Sequence, residues 1–322
     1  MSDIDLSASL KERARAEGFD LVGIAAASEN RDAARLHEWI DRGFAAEMDY
    51  MKRNIELRRD PRKLLPGCRS VVAVAMSYHI DAPSSQSSID PERAWVSRYA
   101  WGRDYHRLMK KRLVRVGRWL FEQRPESSWR TCVDTAPILE RSWAAAAGLG
   151  WIGKNTMLIN RGLGSELFLG ILLSTVELKA DEPTTAHCGR CTACLDNCPT
   201  KAFAEPGVLD ARRCIAYLTV EHRSEITDEL REQTGHHIAG CDICQEVCPW
   251  TQSAQADLHQ EFQPVSHRFR PRLEDIAKLD EAGYRKWREG SSLNRIGYTQ
   301  FHRNVAIAVK NAQSSTVRNK TR

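Results

Sequence analysis

The sequence has 322 residues, of which 42% are hydrophobic and 28% are charged, with a net charge of +5. This length predicts two or three structural units with a sizeable core, and the composition is typical of a soluble globular protein. No run approaches the roughly 20 apolar residues that a membrane helix requires. The polar N-terminus has neither an apolar signal region nor a twin-arginine motif, which predicts a cytoplasmic protein with reduced cysteines.

The first 180 residues alternate between helical and strand patterns. Apolar residues at helical spacing predict helices at 7–17, 31–53, 104–121 and 138–147. Apolar runs predict strands at 19–27, 70–78 and 131–137, and two more at 155–160 and 166–178 that a glycine turn joins. The alternation predicts an α/β or α+β domain, and we assign the chain to the α+β class. The predicted units are 1–182, a cysteine-rich 183–255 and a helical, basic 256–322.

Basic residues are concentrated in two segments. Residues 264–322 hold thirteen Lys or Arg against five Asp or Glu, a net +8. Residues 98–118 hold eight Lys or Arg and the single acid Asp104. Each segment alone could be a solvated helix face, but two in one chain favour a polyanionic partner.

Eight of the ten cysteines lie between residues 188 and 248. The run Cys-x2-Cys-x2-Cys-x3-Cys-Pro at 188–199 is typical of ferredoxins with two 4Fe-4S clusters, where the fourth cysteine ligates the other cluster. A second run, ending in Cys248-Pro249, lacks its first cysteine because Ile238 occupies that position. Cys214 is the obvious substitute. The predicted ligand sets are therefore Cys188, Cys191, Cys194 and Cys248 for one cluster, and Cys198, Cys214, Cys241 and Cys244 for the other.

Two structural zinc sites are the alternative, since zinc is also bound by four cysteines. Two structural zinc sites would require neither the triple cysteine run nor the two Cys-Pro endings, so the spacing favours iron–sulfur clusters. Cys68 and Cys132 lie in apolar strand contexts and are predicted to be core residues.

Two further features lie before the cysteines. The sequence Gly-Leu-Gly-Trp-Ile-Gly at 148–153 fits a nucleotide-binding pattern, but a helix precedes it, so Gly148 is better interpreted as the end of that helix. Asp134 follows an apolar strand, where a carboxyl can have its pKa raised and act as a general acid. Alternatively, Asp134 caps the following helix or pairs with Arg141.

The ordered set of segments resembles epoxyqueuosine reductase, a cobalamin-dependent iron–sulfur enzyme family of tRNA queuosine synthesis. The segments that carry the resemblance are 58–67, 97–106, 134–160, the cysteine motifs with 210–223 and 240–250, and 290–311. The resemblance implies an α/β cobalamin-binding domain, an inserted two-cluster ferredoxin-like module and a short helical C-terminal part.

The resemblance also implies the reaction and its residues. Epoxyqueuosine at the wobble position of tRNA would lose its epoxide oxygen in a two-electron reduction, with an external low-potential electron donor. The tRNA partner would be an anticodon stem-loop with a G-U-N anticodon, and we expect a monomer without membrane association. Asp134 would be the proton donor, and the cobalamin contacts would be Arg58, Tyr99, Asp134, Lys154, Asn155, Ser165 and Arg212.

Two other functions share some of these features. A corrinoid reductive dehalogenase would also combine cobalamin with two clusters, although such enzymes usually carry a twin-arginine signal and need no basic surface. A non-enzymatic electron-transfer protein would need the clusters but neither Asp134 nor so long an N-terminal domain.

Overall fold

The computed structural model describes residues 3–86 and 90–320, so part of the predicted polar loop, at 87–89, lies outside the described residues. The helices are α1 (Asp3–Ala16), α2 (Ala33–Asp41), α3 (Asp49–Lys52), α4 (Ile55–Arg59), α5 (Tyr105–Gln123), α6 (Glu140–Ala146), α7 (Ala193–Asp196), α8 (Ile215–Val220), α9 (Asp228–Gln233), α10 (Ile243–Glu246), α11 (Pro249–Gln252), α12 (Leu273–Ala277), α13 (Glu281–Trp287) and α14 (Tyr298–Lys320). The strands are β1 (Leu21–Ala26), β2 (Ser70–Ser77), β3 (Trp95–Val96), β4 (Trp129–Cys132), β5 (Trp151–Ile152), β6 (Leu158–Ile159), β7 (Leu167–Ser174), β8 (Phe203–Glu205), β9 (Val208–Leu209) and β10 (His237–Ala239).

A four-stranded sheet with the order β1-β2-β7-β4 organises the first half of the chain. Every neighbouring pair in it is antiparallel. The alternation of helices and strands leaves either an α/β or an α+β domain open, and an α/β cobalamin-binding domain is part of the predicted fold. That part is wrong, because the strands belong to an antiparallel sheet, and the fold is a mixed one of the α+β kind.

The sheet is covered on both faces, and its central strands, β2 and β7, are buried at nearly every position. Side chains alternate between the faces of a strand, so Val72 and Val74 of β2 pack with α1 and α5, whereas Val71 and Ala73 pack with α6. Cys68 and Cys132 lie buried in the second of these cores, which confirms that they are core residues. The sheet is therefore a rigid base for the loops at its ends.

The helix α5 begins one residue after Asp104, whose Oδ1 accepts the backbone N–H of His106 at 3.0 Å. Its apolar positions, predicted from helical spacing, are buried: Met109, Leu113, Val116 and Leu120. The predicted helix at 104–121 is thus confirmed, and its first turn lies near the end of β4.

Two predicted elements differ from the structure. The helix predicted at 31–53 is interrupted after Asp41, because Gly43 adopts a positive φ of 73° that ends α2. The strands at 158–159 and 167–174 exist but do not pair with each other: β6 pairs with β5, and β7 pairs with β2 and β4. Gly148, with a φ of 79°, follows the end of α6 as predicted.

The three predicted units share their cores. The strand β3 pairs in parallel with β10, and their residues pack against α12, α13 and α14 in a separate apolar cluster that includes Trp101, Tyr284 and Phe301. Residues 94–101 therefore contact the cysteine-rich and C-terminal segments, and Tyr99 among them also packs against the core of the central sheet. The C-terminal part is helical, as predicted, whereas the unit boundaries at 182 and 255 remain predictions.

Candidate active site and cluster-binding sites

Four of the predicted cluster ligands surround one small cavity. Cys188, Cys191, Cys194 and Cys248 line a cavity of 60 Å³ together with Trp250. The indole N–H of Trp151 donates to Cys188 Sγ at 3.4 Å. Cys248 therefore joins the first run from 50 residues further along the chain, as the spacing predicts.

The other four cysteines form a second group. Burial raises the pKa of the Cys244 thiol, and the thiols of Cys214, Cys198 and Cys194 act in the same direction. The pKa of Cys241 is likewise raised by burial and by Cys244 and Cys214. Cys214 thus lies among the residues of the second predicted ligand set. Cys194 of the first set lies near Cys244 of the second, so the two sets adjoin there.

Among residues 3–86 and 90–320, no three or more His, Cys, Asp or Glu side chains form a group that could hold a metal ion.

Asp134 lies on the loop between β4 and α6 in a left-handed conformation, with φ at 56°. Its backbone N–H donates to Glu140 Oε1 at 2.7 Å. Its carboxylate accepts a hydrogen bond from His106 Nε2 at 3.2 Å and lies 3.8 Å from Arg295 Nη2. The side chain is 41% exposed and can be reached from the cavities beside it.

The environment of Asp134 differs from the expected one in two respects. Partial burial acts to raise the pKa of Asp134, but His106 and Arg295 outweigh it, so the pKa is lowered. The expected rise in the pKa of Asp134 is therefore wrong. The alternative roles are also wrong, because α6 is preceded by Leu139, without a side-chain cap, and Arg141 Nη1 donates instead to the carbonyl oxygen of Thr156.

Three residues of this site were not identified from the sequence: His106, Glu140 and Arg295. Burial lowers the pKa of His106, but hydrogen bonds to Asp104 and Asp134 outweigh this and raise it to about 9. Burial raises the pKa of Glu140 to about 8. His106 and Arg295 lie in segments that resemble the family, yet no local spacing connects either of them to Asp134.

Asp134 lines two cavities, and a third cavity adjoins the second of them. A cavity of 490 Å³ lies on the side of Arg58 and Glu140, and a cavity of 650 Å³ lies on the side of Tyr99 and His106. Both are lined by Asp134 and Arg295. A third cavity, of 860 Å³, shares Asp104, Arg107 and Asn294 with the second and continues outward.

The structure brings only some of the predicted cobalamin contacts together. Arg58, Asp134 and Tyr99 line the first two cavities. Lys154 instead donates to the carbonyl oxygens of Gly189 and Cys191 at 2.8 Å, and Asn155 donates to that of Cys244 at 3.3 Å, so both contact the cluster loops.

The remaining two predicted cobalamin contacts, Ser165 and Arg212, lie elsewhere in the structure. Ser165 is buried, and its hydroxyl is 3.2 Å from Gln245 Oε1. Arg212 forms an exposed ion pair with Asp210 at 2.7 Å. Within the described residues, neither side chain lines any of the three cavities.

The two basic segments meet in the third cavity. Basic residues of α5 and its approach line one side, and basic residues of α13 and the turn after it line the other: Arg103, Arg107, Lys111, Arg285, Lys286 and Arg288. Other basic residues of the same segments are structural. Arg98 is buried between Glu166 and Glu246, and Arg303 donates to the carbonyl oxygens of Leu218 and His222.

The fold and the cysteine groups define an iron–sulfur protein. A family model described as a 4Fe-4S double cluster binding domain matches residues 187–251, and another, described as "Epoxyqueuosine reductase QueG, DUF1730", matches residues 58–135. Among the residues that the structure describes, no helix has the length and apolar character that spanning a bilayer requires.

Relatives match nearly the whole chain. An epoxyqueuosine reductase of Synechococcus sp. (strain CC9605) is 45% identical, covering 94% of both chains, and that of Escherichia coli K12 is 41% identical, covering 95% of this chain and 81% of the relative. The chain belongs to the epoxyqueuosine reductase family, whose members are oxidoreductases.

Two solved structures have the same fold. An epoxyqueuosine reductase crystallised with an epoxyqueuosine-modified tRNA-Tyr stem loop superimposes with a TM-score of 0.89 at 30% identity, covering 97% of this chain and 83% of that one. The enzyme of Bacillus subtilis, with its catalytic aspartate loop swung out of the active site, has a TM-score of 0.88 at 29% identity over the same shares.

Proposed function

We propose that this protein reduces epoxyqueuosine to queuosine at the wobble position of tRNA. The observation that carries the proposal is the continuity of the basic cavity with the cavity beside Asp134. A polyanion bound along the basic side chains would place a base within reach of a carboxylate. A relative that superimposes on this chain with a TM-score of 0.89 was crystallised with a tRNA stem loop, and the sequence match to an epoxyqueuosine reductase covers 94% of both chains.

A modified base must leave its stack to reach such a site, and phosphate contacts can offset that cost. Contacts at the G-U-N anticodon would then specify the tRNA, whereas contacts with the stem would only position it. Asp134 lies between the first cavity and the second, so a base that entered the second cavity from the basic cavity would meet its carboxylate.

The tRNA interface is tested by the salt dependence of binding. We expect the affinity for an epoxyqueuosine-containing anticodon stem-loop to fall steeply with salt, because each neutralised phosphate releases counterions. Arg107→Ala and Arg285→Ala should each make the slope of log affinity against log salt shallower by about 1. Lys278→Ala is the matched control, since Lys278 lies in the same basic segment but outside the cavity and is 74% exposed.

Fluorescence anisotropy between low and physiological salt measures these slopes. Binding that does not depend on salt, or equal turnover of the free nucleoside, would contradict the tRNA proposal and favour a small-molecule reductase.

We propose that Cys188, Cys191, Cys194 and Cys248 ligate one 4Fe-4S cluster and that Cys198, Cys214, Cys241 and Cys244 ligate the other. Such clusters transfer one electron at a time. Cys191 is exposed, so the external low-potential donor would approach the cluster of the first ligand set. Electrons would then pass to the second cluster where Cys194 lies near Cys244.

Metal analysis tests the clusters directly. After anaerobic reconstitution, the protein is expected to contain about eight iron and eight sulfide per chain, as two 4Fe-4S clusters require. Iron and acid-labile sulfide assays, with the visible charge-transfer absorption, provide the measurement. Stoichiometric zinc without that absorption would contradict both ligand sets.

We also propose that the cavity of 490 Å³ and the adjoining space hold cobalamin. Arg58 supports this proposal: its Nη2 donates to the carbonyl oxygen of Tyr50 at 3.2 Å, but its buried Nε has no partner in the described residues. A buried donor normally has an acceptor, and a corrin bears many amide oxygens. When bound, cobalamin would supply a cobalt centre able to deliver electrons to the epoxide.

Within this assignment, Arg58 and Tyr99 would contact the cofactor from the two cavities. Lys154 and Asn155 would act at the border between cofactor and clusters, because they hold the cluster loops through backbone carbonyls. Ser165 and Arg212 were predicted as contacts from the resemblance alone, and neither lies in a cavity beside Asp134.

Asp134 is the proposed proton donor to the departing epoxide oxygen. Its loop position between two cavities and its exposed carboxylate suit that role. In the relative from Bacillus subtilis a catalytic aspartate loop is swung out of the active site, which is consistent with an acid on a loop of this kind. We further propose a monomer in the cytoplasm that needs no membrane association.

A further inference from the structure

Three titratable side chains are joined in a line beside the second cavity. Asp104 Oδ1 lies 2.7 Å from His106 Nδ1, and His106 Nε2 lies 3.2 Å from Asp134 Oδ2. The ring of Tyr105 stacks on the ring of His106 with centroids 4.0 Å apart. Both imidazole nitrogens therefore face carboxylates, and the orientation of the ring is fixed from three sides.

The proposed reaction, on which this inference rests, has a proton requirement. Conversion of an epoxide to an alkene breaks two C–O bonds and releases the oxygen as water. The step consumes two electrons, which the external low-potential donor supplies, and two protons. One carboxyl group can deliver one proton, so it must be loaded again before the oxygen leaves as water.

We propose that His106 supplies the protons that Asp134 delivers. In each transfer, the Nε2–H proton would cross the hydrogen bond to Asp134 Oδ2 and continue to the leaving oxygen. The imidazole would then be reprotonated from the second cavity, where its side chain is 28% exposed. His106 acts through Asp134 and is a positioning and relay residue for the acid.

The electrostatics agree with this arrangement. The pKa of Asp134 is lowered, mainly because His106 and Arg295 offset the effect of burial, so the carboxylate is ionised at neutral pH. The pKa of His106 is raised to about 9, so the imidazole holds the proton there. A resting pair with its proton on His106 explains how a carboxylate of lowered pKa can still serve as the acid.

Other charged groups also face His106. From its own helix and the residue that precedes it, these are Asp104, Arg107 and Lys110. From the elements packed against it, Asp134, Glu221 and Arg295 line the same cavity, as do the phenols of Tyr99 and Tyr105. Arg295 is bound to Glu221 at 2.5 Å, so its charge is partly compensated, and the two carboxylates hydrogen-bonded to the ring dominate its titration.

The test combines a titration with a rate profile. The His106 ring is followed by NMR in the reconstituted protein, and a pKa near 9 that falls in Asp134→Asn and in Asp104→Asn is expected. Single-turnover reduction of epoxyqueuosine-containing stem-loop is then measured against pH. The wild-type rate should stay level up to about pH 9 and fall above it, as His106 loses its proton.

His106→Gln keeps a hydrogen-bond donor but cannot titrate. We expect its rate at pH 8 to fall by roughly 10²-fold or more, the usual contribution of a positioned acid or base, with partial rescue by added imidazole. Asp104→Asn keeps the imidazole and should move the alkaline fall to lower pH. If His106→Gln does not fold, the pH profile of Asp104→Asn still tests the proposal.

Two results would overturn the proposal: a His106 pKa near the ordinary value of about 6.5, or wild-type pH profiles in both variants. Failure of the proposed function is a separate outcome, recognised when the wild-type protein with both clusters does not reduce the stem-loop. The NMR titration still decides the coupling of His106 to Asp134 in that case.

Discussion

Asp134→Asn is expected to retain both clusters and stem-loop binding while turnover falls by roughly 10²–10⁴-fold, the usual contribution of a positioned general acid. An amide can still accept the hydrogen bond from His106 and can occupy the same space, but it cannot deliver a proton to the leaving oxygen. The backbone N–H of residue 134 keeps its acceptor, Glu140 Oε1, so the loop should remain in place.

Single-turnover assays with epoxyqueuosine-containing stem-loop measure this effect, and iron content with stem-loop affinity shows that the rest of the site is intact. Asp228→Asn is a matched control, because Asp228 is an exposed carboxylate of α9 that pairs only with Arg231 among the ion pairs of the described residues. Turnover of Asp134→Asn close to that of the control would remove Asp134 from the chemistry.

Cys214→Ser is expected to lose one of the two clusters and about half of the iron. Cys214 lies just before α8, 27 residues before Cys241, and its thiol is near Cys198. A serine hydroxyl is a hard oxygen donor, whereas iron–sulfur clusters are held by soft thiolates. The cluster held by Cys188, Cys191, Cys194 and Cys248 should persist, because none of its ligands has changed.

Iron and sulfide assays, together with EPR spectra of the reduced protein, distinguish one cluster from two. Cys68→Ser is the matched control: Cys68 is buried against the sheet, and its Sγ lies 3.5 Å from the carbonyl oxygen of Ser70. About eight iron per chain should remain in this control. If Cys214→Ser also kept eight, Cys214 would not be a ligand and the second set would need another residue.

Patterns within one segment were sufficient to predict the elements and sites whose defining residues all lie in that segment. Strand β2 and helix α5 were predicted from their own apolar spacing, which reports directly on the faces that each element buries. The cysteine runs likewise predicted iron–sulfur clusters, because a loop that wraps a cluster needs thiols at fixed short intervals. The 4Fe-4S double cluster match at 187–251 agrees with that interpretation.

Basic residues show the limit of such patterns. Arg98 and Arg107 belong to one basic segment of the sequence, yet Arg98 is buried between carboxylates while Arg107 lines the basic cavity. The count of charges predicted a polyanionic partner, but it could not separate structural arginines from exposed ones. That distinction depends on which elements pack above each residue.

By itself, the sequence determined the cluster chemistry, the family and the elements with strong apolar periodicity. Only the tertiary structure decided the environment of Asp134. His106 approaches it from α5, Glu140 from α6 and Arg295 from the C-terminal segment. The pKa of a carboxyl depends on charges within a few ångströms in space, and residues that are far apart along the chain supply those charges here. The packing of α5, α6 and the C-terminal segment around the loop after β4 brings them together, and spacing along the sequence does not encode it.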